Sequence, residues 1–333
     1  FTGTWLPPVT RRERAEWLAK SGLGMEWGDR LQDSQHALQR TYQKLGIECA
    51  RTDPYCDGFC FWTIADVVVA NSGTYSAQGV FDPFWNPKRC GNGYADVRVY
   101  NSPVGVFADM EVIRAAAYEH GKLKTHAFPQ STKWTGMRMP NADEMRWNVY
   151  ACLAYGFKAL SWVNVGCPGS RDDDGEGFSR SLIYRDGTIM DEQLWCDFTA
   201  LNWEVRGIGH ALAGLDTVHA WHTGGSLDGV EYLPANCFIR PEGDADLVIS
   251  LMEAKDGTQP YVMLFNKSHK EAVTHSFTLA PACGFGAVEY LDPMTGEYVP
   301  ADVSDGRLCV SFRPGEGKLF RLQGVSSAEI MRD

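Results

Sequence analysis

The sequence predicts an α/β chain: parallel βα units over residues 1–215, of the kind that build a (β/α) barrel, followed by a small antiparallel β-sandwich over residues 216–333. Three observations carry this. Apolar, β-branched runs of strand length alternate with helical stretches as far as Leu215, the order of βα units around a parallel sheet. Beyond it the chain breaks into short runs with alternating apolar positions and frequent turn residues, as in an antiparallel sandwich. The 333 residues also exceed what one ordinary core fills, so two domains, or one large barrel with an appendage, are expected. The change of texture places the boundary between 215 and 245.

The elements follow in order. "PPVTRRERAEWLAKSGL" reads as a helix with Thr10 as N-cap and Glu13 as its capping-box partner. "DSQHALQRTYQKLGIECART" is a second helical stretch, with Leu38, Tyr42, Leu45 and Ile47 at a helical period. "GFCFWTIADVVVA" is almost continuously apolar, as a strand buried on both faces must be. "SPVGVFADM" (102–110) reads as a short strand ending in an acid, and "MEVIRAAAYEHG" as the helix after it. "KLKTHAFPQST" (122–132) is a further strand. "NADEMRWNVYACLAYG" is a helix capped by Asn141, with Glu144 in the reciprocal position. "FKALSWVNVG" (157–166) is a strand, and "DEQLWCDFTALNWEVRGIGHALAGL" (191–215) a long amphipathic helix. The sandwich strands are expected in "DLVISLMEA", "PYVMLFNKS", "THSFTLAP", "GAVEYLDP", "RLCVSFRP" and "GKLFRLQ", with turns such as "KDG", "DPMTGE" and "SDG" between them. "VSSAEIMRD" reads as a tail.

Composition narrows the partners. A net charge of −11 repels phosphate backbones, which argues against nucleic acid. No apolar run has the length of a membrane span, and no signal-peptide core precedes residue 20. The chain opens on Phe1 rather than Met, which fits a processed chain or a fragment. Ten cysteines are scattered, several in apolar runs, and read as buried free thiols, which favours a reducing, cytoplasmic setting. Cys56 and Cys60 have no histidine beside them, so no zinc site and no other metal or cofactor is expected. Neither a G-x-S-x-G elbow nor a phosphate-binding P-loop occurs. His219 and His222 sit three apart in "VHAWHTGG", either on one helix face as metal ligands or at a surface or interface.

The stretch "YQKLGIECARTDPYCDGFCFWTIADVVVANSGTYSAQGVFDPFWNPK", followed by "VRVYNSPV", resembles the end of the catalytic barrel in glycoside hydrolase family 2-like proteins. "MPNADEMRWNVYACLAYGFKALSWVNVG" and "NWEVRGIGHALAGL" are similar to late barrel segments of bacterial glycosidases. "YVMLFNKS", "VEYLDPMTGEYV" and "LCVSFRPGEGKLFRL" resemble the small β-domain that often follows. Both matched pieces resemble late barrel segments, hence the expectation of an incomplete or rearranged barrel. The strand-7 His-Glu pair of the family 2-like pattern is absent. The resemblance implies hydrolysis of glycosidic bonds in an oligosaccharide or glycoconjugate. Two rival readings stand beside it: a non-catalytic carbohydrate-binding protein, or the C-terminal fragment of a larger glycosidase.

Glycoside hydrolysis takes two carboxyl groups, and barrels deliver them at the C-terminal ends of strands. Three acids qualify. Asp66 closes "CFWTIAD", as part of a site wall or as a helix cap. Asp109 and Glu111 close "VGVFADME"; two apart on a strand they would share a face, as a clamp or acid pair, or else they are first-turn helix acids. Gln130, ending "THAFPQ", offers an amide to a sugar hydroxyl, or is a loop residue. Trp62, Trp134 and Trp162 fall at or beyond strand ends, as does Trp85, and indoles stack on sugar rings; the alternative is that they fill the core. "SRDDDGEG" (170–177) is a solvated acidic loop or a cation- or sugar-contacting one. A carbohydrate substrate is the expected partner; oligomeric state is left open.

Overall fold

The computed structural model describes residues 58–60, 124–127, 129–133, 139–160, 162, 165–166, 180–184, 187–227, 229–257, 259–280, 286–326 and 330, with positions 107, 110, 111, 114, 115 and 118 of one helical stretch. The described chain is mixed α/β and mostly strand. It divides into two compact units: residues 1–145 with 157–203, and residues 146–156 with 204–333. The second therefore takes in 146–156 and 204–215, helical segments that the sequence assigns to the barrel.

The first unit holds a parallel three-stranded sheet in the order β1 (Gly58–Cys60), β2 (Lys124–Ala127), β3 (Ala159–Leu160). Cys60 pairs with His126 and Ala127 with Leu160, so the three strands end at one edge. Phe107, Met110, Glu111, Arg114, Ala115 and Tyr118 are helical. At Phe107 this corrects the strand expected over 102–110, whose other positions before Met110 lie outside the described residues. The spacing of Phe107, Met110, Glu111 and Arg114, all buried, is that of one helix face, and the apolar run before Asp109 concealed it.

Helix α1 (Ala142–Ala154) starts where the capping box predicts. The Asn141 side-chain oxygen accepts from Glu144 N–H at 2.9 Å, and Asn141 N–H donates to the Glu144 carboxylate at 2.9 Å. Helix α2 (Glu192–Leu212) is capped by Asp191, whose Oδ1 accepts from Leu194 N–H at 3.0 Å.

In the second unit, a seven-stranded sheet runs in the order β11 (Tyr298–Pro300), β10 (Ala287–Leu291), β14 (Gly317–Gln323), β8 (Pro260–Asn266), β7 (Leu247–Ala254), β4 (Leu215–His222), β5 (Glu231–Tyr232). A four-stranded sheet runs β12 (Val303–Ser304), β13 (Arg307–Phe312), β9 (Val273–Leu279), β6 (Ile239–Pro241). One apolar cluster draws on both sheets: Ile249, Leu251, Val262, Leu264 and Phe320 from the larger, Phe277, Leu308, Val310 and Phe312 from the smaller.

The two sheets differ in a way their sequences explain. Strand β13, "RLCVSF", alternates exposed and buried residues, as a sheet with one wet face requires. Strand β7, "LVISLMEA", is buried at every residue but the last. Its second face, and that of β8, are covered as well: the Trp147 ring of α1 meets Phe265 edge-on at 5.7 Å. A Cβ on Gly317 would lie 2.7 Å from the Tyr150 ring and 2.8 Å from Met263, so the backbone of β14 passes directly under the helix. Gly156 ends α1 in a left-handed turn (φ 80°) with its Cα against Thr217, where any Cβ would sit 2.3 Å from Oγ1.

The segment containing His219 and His222 is strand, not helix, with a bulge between Thr217 and His219. His222 is fully buried, while the His219 side chain is 37% exposed and bonded to Glu231 at 2.8 Å. They do not form a shared metal face, and the described residues contain no cluster of three or more candidate metal ligands.

Candidate functional site

Asp66, Asp109, Trp62 and Trp134 lie outside the described residues, as do Trp85 and the acidic loop at 170–177. Glu111, Gln130 and Trp162 are described, and all three are buried.

Gln130 and Trp162 follow the C-terminal ends of the neighbouring strands β2 and β3. The Gln130 amide nitrogen donates to Thr132 O at 2.6 Å, folding the side chain back on its own loop. That loop is tied to the segment at 180–183. Lys133 N–H donates to Arg180 O at 2.6 Å, Thr132 Oγ1 to the same oxygen at 2.7 Å, and Ser181 Oγ lies 3.0 Å from Val165 O. The result is a belt of buried polar residues, Gln130, Ser131, Thr132 and Ser181, beyond the parallel strands. Ser131 Oγ has no hydrogen-bond partner among the described residues.

Trp162 is 3% exposed. Its indole N–H donates to Asn202 Oδ1 of α2 at 2.9 Å, and its ring meets Phe198 edge-on at 5.0 Å. The indole is thus a packed wall with its polar atom spent inside the protein, rather than an open platform. Asn202 Nδ2 is buried without a partner among the described residues.

Glu111 is 8% exposed, and both carboxylate oxygens engage the Arg114 guanidinium one turn along the helix: Nε donates to Oε2 at 2.9 Å, and Nη2 to Oε1. A carboxylate so held accepts two charge-assisted hydrogen bonds from one guanidinium. Glu111 bonds to Arg114, the Gln130 amide to Thr132 and the Trp162 indole to Asn202.

Two polar centres in the second unit were missed by sequence reasoning. In one, Arg313 donates to Glu204 at 3.0 and 2.8 Å and to Glu316 at 3.1 and 2.9 Å, and Tyr150 Oη reaches Glu204 at 3.4 Å. Burial works against the arginine's charge, but the two carboxylates raise its pKa on balance. Burial, with Glu204 adding to it, pushes the Tyr150 hydroxyl well above its ordinary value. Two buried carboxylates sharing one guanidinium form a structural clamp, not an acid/base pair. In the other centre, Tyr155, His222, Lys267 and Asp246 form a chain. Only the apolar run around "LFNK" and the paired histidines hinted at it in the sequence.

No protein-family model matches the chain, and no curated protein matches it. Solved structures do. A rhamnosidase from Novosphingobium sp. PP1Y aligns with 68% of this chain and 34% of its own, at 10% identity and a TM-score of 0.40. A family 39 glycoside hydrolase from Bacteroides cellulosilyticus WH2 aligns with 77% of this chain and 47% of its own, at 12% identity and 0.39. An α-amylase from Geobacillus thermoleovorans aligns with 86% and 56%, at 12% identity and 0.42. These neighbours are glycoside hydrolases, and the chain spans between about a third and a little over half of their lengths.

Proposed function

We propose that this chain is a glycoside hydrolase, with a family 2-like (β/α) barrel portion and a C-terminal β-sandwich, that cleaves glycosidic bonds of an oligosaccharide or glycoconjugate. The single observation that carries the reading is the shared edge at which β1, β2 and β3 end, because carboxyl and amide groups delivered to one rim of parallel strands are what such chemistry uses. The strand-end motif around Asp66 in the sequence supports it.

In this reading Asp66 and Asp109 supply the carboxyl groups, one protonating the leaving oxygen and the other acting as nucleophile or base. Glu111, charge-paired with Arg114, fixes the local field and accepts a sugar hydroxyl. Gln130 orients the sugar, with Trp62 and Trp134 as stacking faces and Trp162 as the wall behind them.

Turnover of aryl glycosides by Asp66→Asn, Asp109→Asn and Glu111→Gln variants tests this. Loss of the essential acid or base is expected to cut kcat by a factor of about 100 or more in at least one aspartate variant. Wild-type turnover in all three overturns the assignment. Sugar binding without turnover favours the non-catalytic carbohydrate-binding reading, for which the absent His-Glu motif speaks.

A further inference from the structure

The outer face of the seven-stranded sheet, all of it in the second unit, is covered at one end and open at the other. One transverse row shows this. Thr217 of β4 pairs with Met252 of β7, Met252 with Tyr261 of β8, and Tyr261 with Arg321 of β14. Arg321 pairs in turn with Glu289 of β10, and Glu289 with Pro300 of β11. Their chain neighbours Leu251, Val262, Phe320 and Val288 belong to the core between the sheets, so this row faces the other way. Thr217 and Met252 are buried, and Gly156 rests on Thr217. Tyr261, Arg321 and Glu289 are half-buried, and Pro300 is exposed.

The open end gathers aromatic and polar groups. The Arg321 guanidinium carbon lies 3.8 Å from the centroid of the Tyr298 ring, and the Tyr261 and Tyr298 rings are 6.4 Å apart. Arg321 donates to Glu289 Oε2 from Nε at 2.8 Å and from Nη2 at 2.6 Å, and Gln323 Nε2 donates to the same oxygen. Every hydrogen bond that Glu289 makes to a described residue thus falls on Oε2. Its Oε1 and the Nη1 of Arg321 have no hydrogen-bond partner among the described residues. Arg321 holds the Glu289 carboxyl below its ordinary pKa, so at neutral pH this carboxylate only accepts.

The chemistry selects a ligand. Carboxylate and guanidinium cancel, so an anion meets Glu289 and a cation meets Arg321. A neutral vicinal diol answers both: one hydroxyl donates to Oε1, the next accepts from Nη1, and the C–H face of the sugar lies on the Tyr261 ring. We propose that Tyr261, Glu289, Tyr298 and Arg321 form a non-catalytic saccharide site on the β unit, which takes a neutral sugar through a vicinal diol. It uses no residue of the proposed catalytic chemistry and does not depend on turnover.

NMR of the intact chain, labelled with ¹⁵N-arginine and ring-¹³C-tyrosine, tests the site by titration with 1,4-linked maltohexaose, mannohexaose and xylohexaose. All three carry free 2,3-diols. At least one is expected to shift the Arg321 Nε and Tyr261 ring signals saturably, and inorganic phosphate is expected not to. Glu289→Gln should weaken that binding about tenfold, because a charged acceptor is lost. The wild-type titration decides alone if that variant does not fold. The same shifts in Asp66→Asn and Asp109→Asn chains separate this site from the proposed catalysis, which can fail while the site stands. No saturable shift at Tyr261 and Arg321 with any of the three sugars, a response to phosphate alone, or undiminished binding by folded Glu289→Gln overturns the proposal.

Discussion

At the residue scale, the described part of the protein is governed by polar groups whose partners come from far along the chain. Trp162 was legible as a strand-end indole because "KALSW" has the look of a strand. Its fate was not, since the partner that buries its N–H is Asn202, forty residues later on α2. Asn141 and Glu144 were legible in full because a capping box is local, three residues wide and unambiguous in type. The Arg313 clamp was invisible for the same reason: Glu204 and Arg313 lie 109 residues apart. Close approach also acts through single glycines. Gly207 of α2 presses on Pro293, whose carbonyl oxygen would lie 1.8 Å from an added Cβ. Gly207→Ala is expected to destabilise the second unit by about 1–3 kcal/mol, although alanine is the better helix former, with thermal unfolding as the readout. An unchanged or raised Tm would show that the loop at 292–296 yields freely.

At the scale of elements, pattern told more than propensity. The sequence grouped the runs of β7 and β13 together as short alternating strands; the structure separates them, with β7 buried at every residue but the last and β13 alternating. Two elements escaped the same reasoning. Phe107 is already helical inside an apolar run too short to show a helical period. Strand β4 follows α2 with only Ala213 and Gly214 between, so the helical pattern was carried into Leu215 and a shared helix face stood as one of the two readings of the histidine pair. The contrast between faces has an energetic consequence. Leu264 of β8 is 0% exposed inside the shared core, and Leu264→Ala should cost about 2–5 kcal/mol in denaturant unfolding. Ser311→Ala, on the wet face of β13, should stay within ~0.5 kcal/mol. Equal effects at the two positions would contradict the layering described for β8 and β13.

At the scale of the whole molecule, the sequence conveyed alternation of strand and helix, then a β-rich region. What locality could not convey is that the second unit gathers 146–156 as well as 204–333, a grouping fixed by contacts such as Trp147 with Phe265 and Tyr155 with His222. The central claim concerns the edge where β1, β2 and β3 end. A crystal structure of this chain with a bound oligosaccharide tests it most directly. The account expects the sugar to hydrogen-bond the Gln130 loop, with two carboxyl groups, those of Asp66 and Asp109, between about 5 and 10 Å apart across a glycosidic bond. A sugar seated only on the β unit, or a sugar at that edge with no such pair of acids around it, would contradict the account.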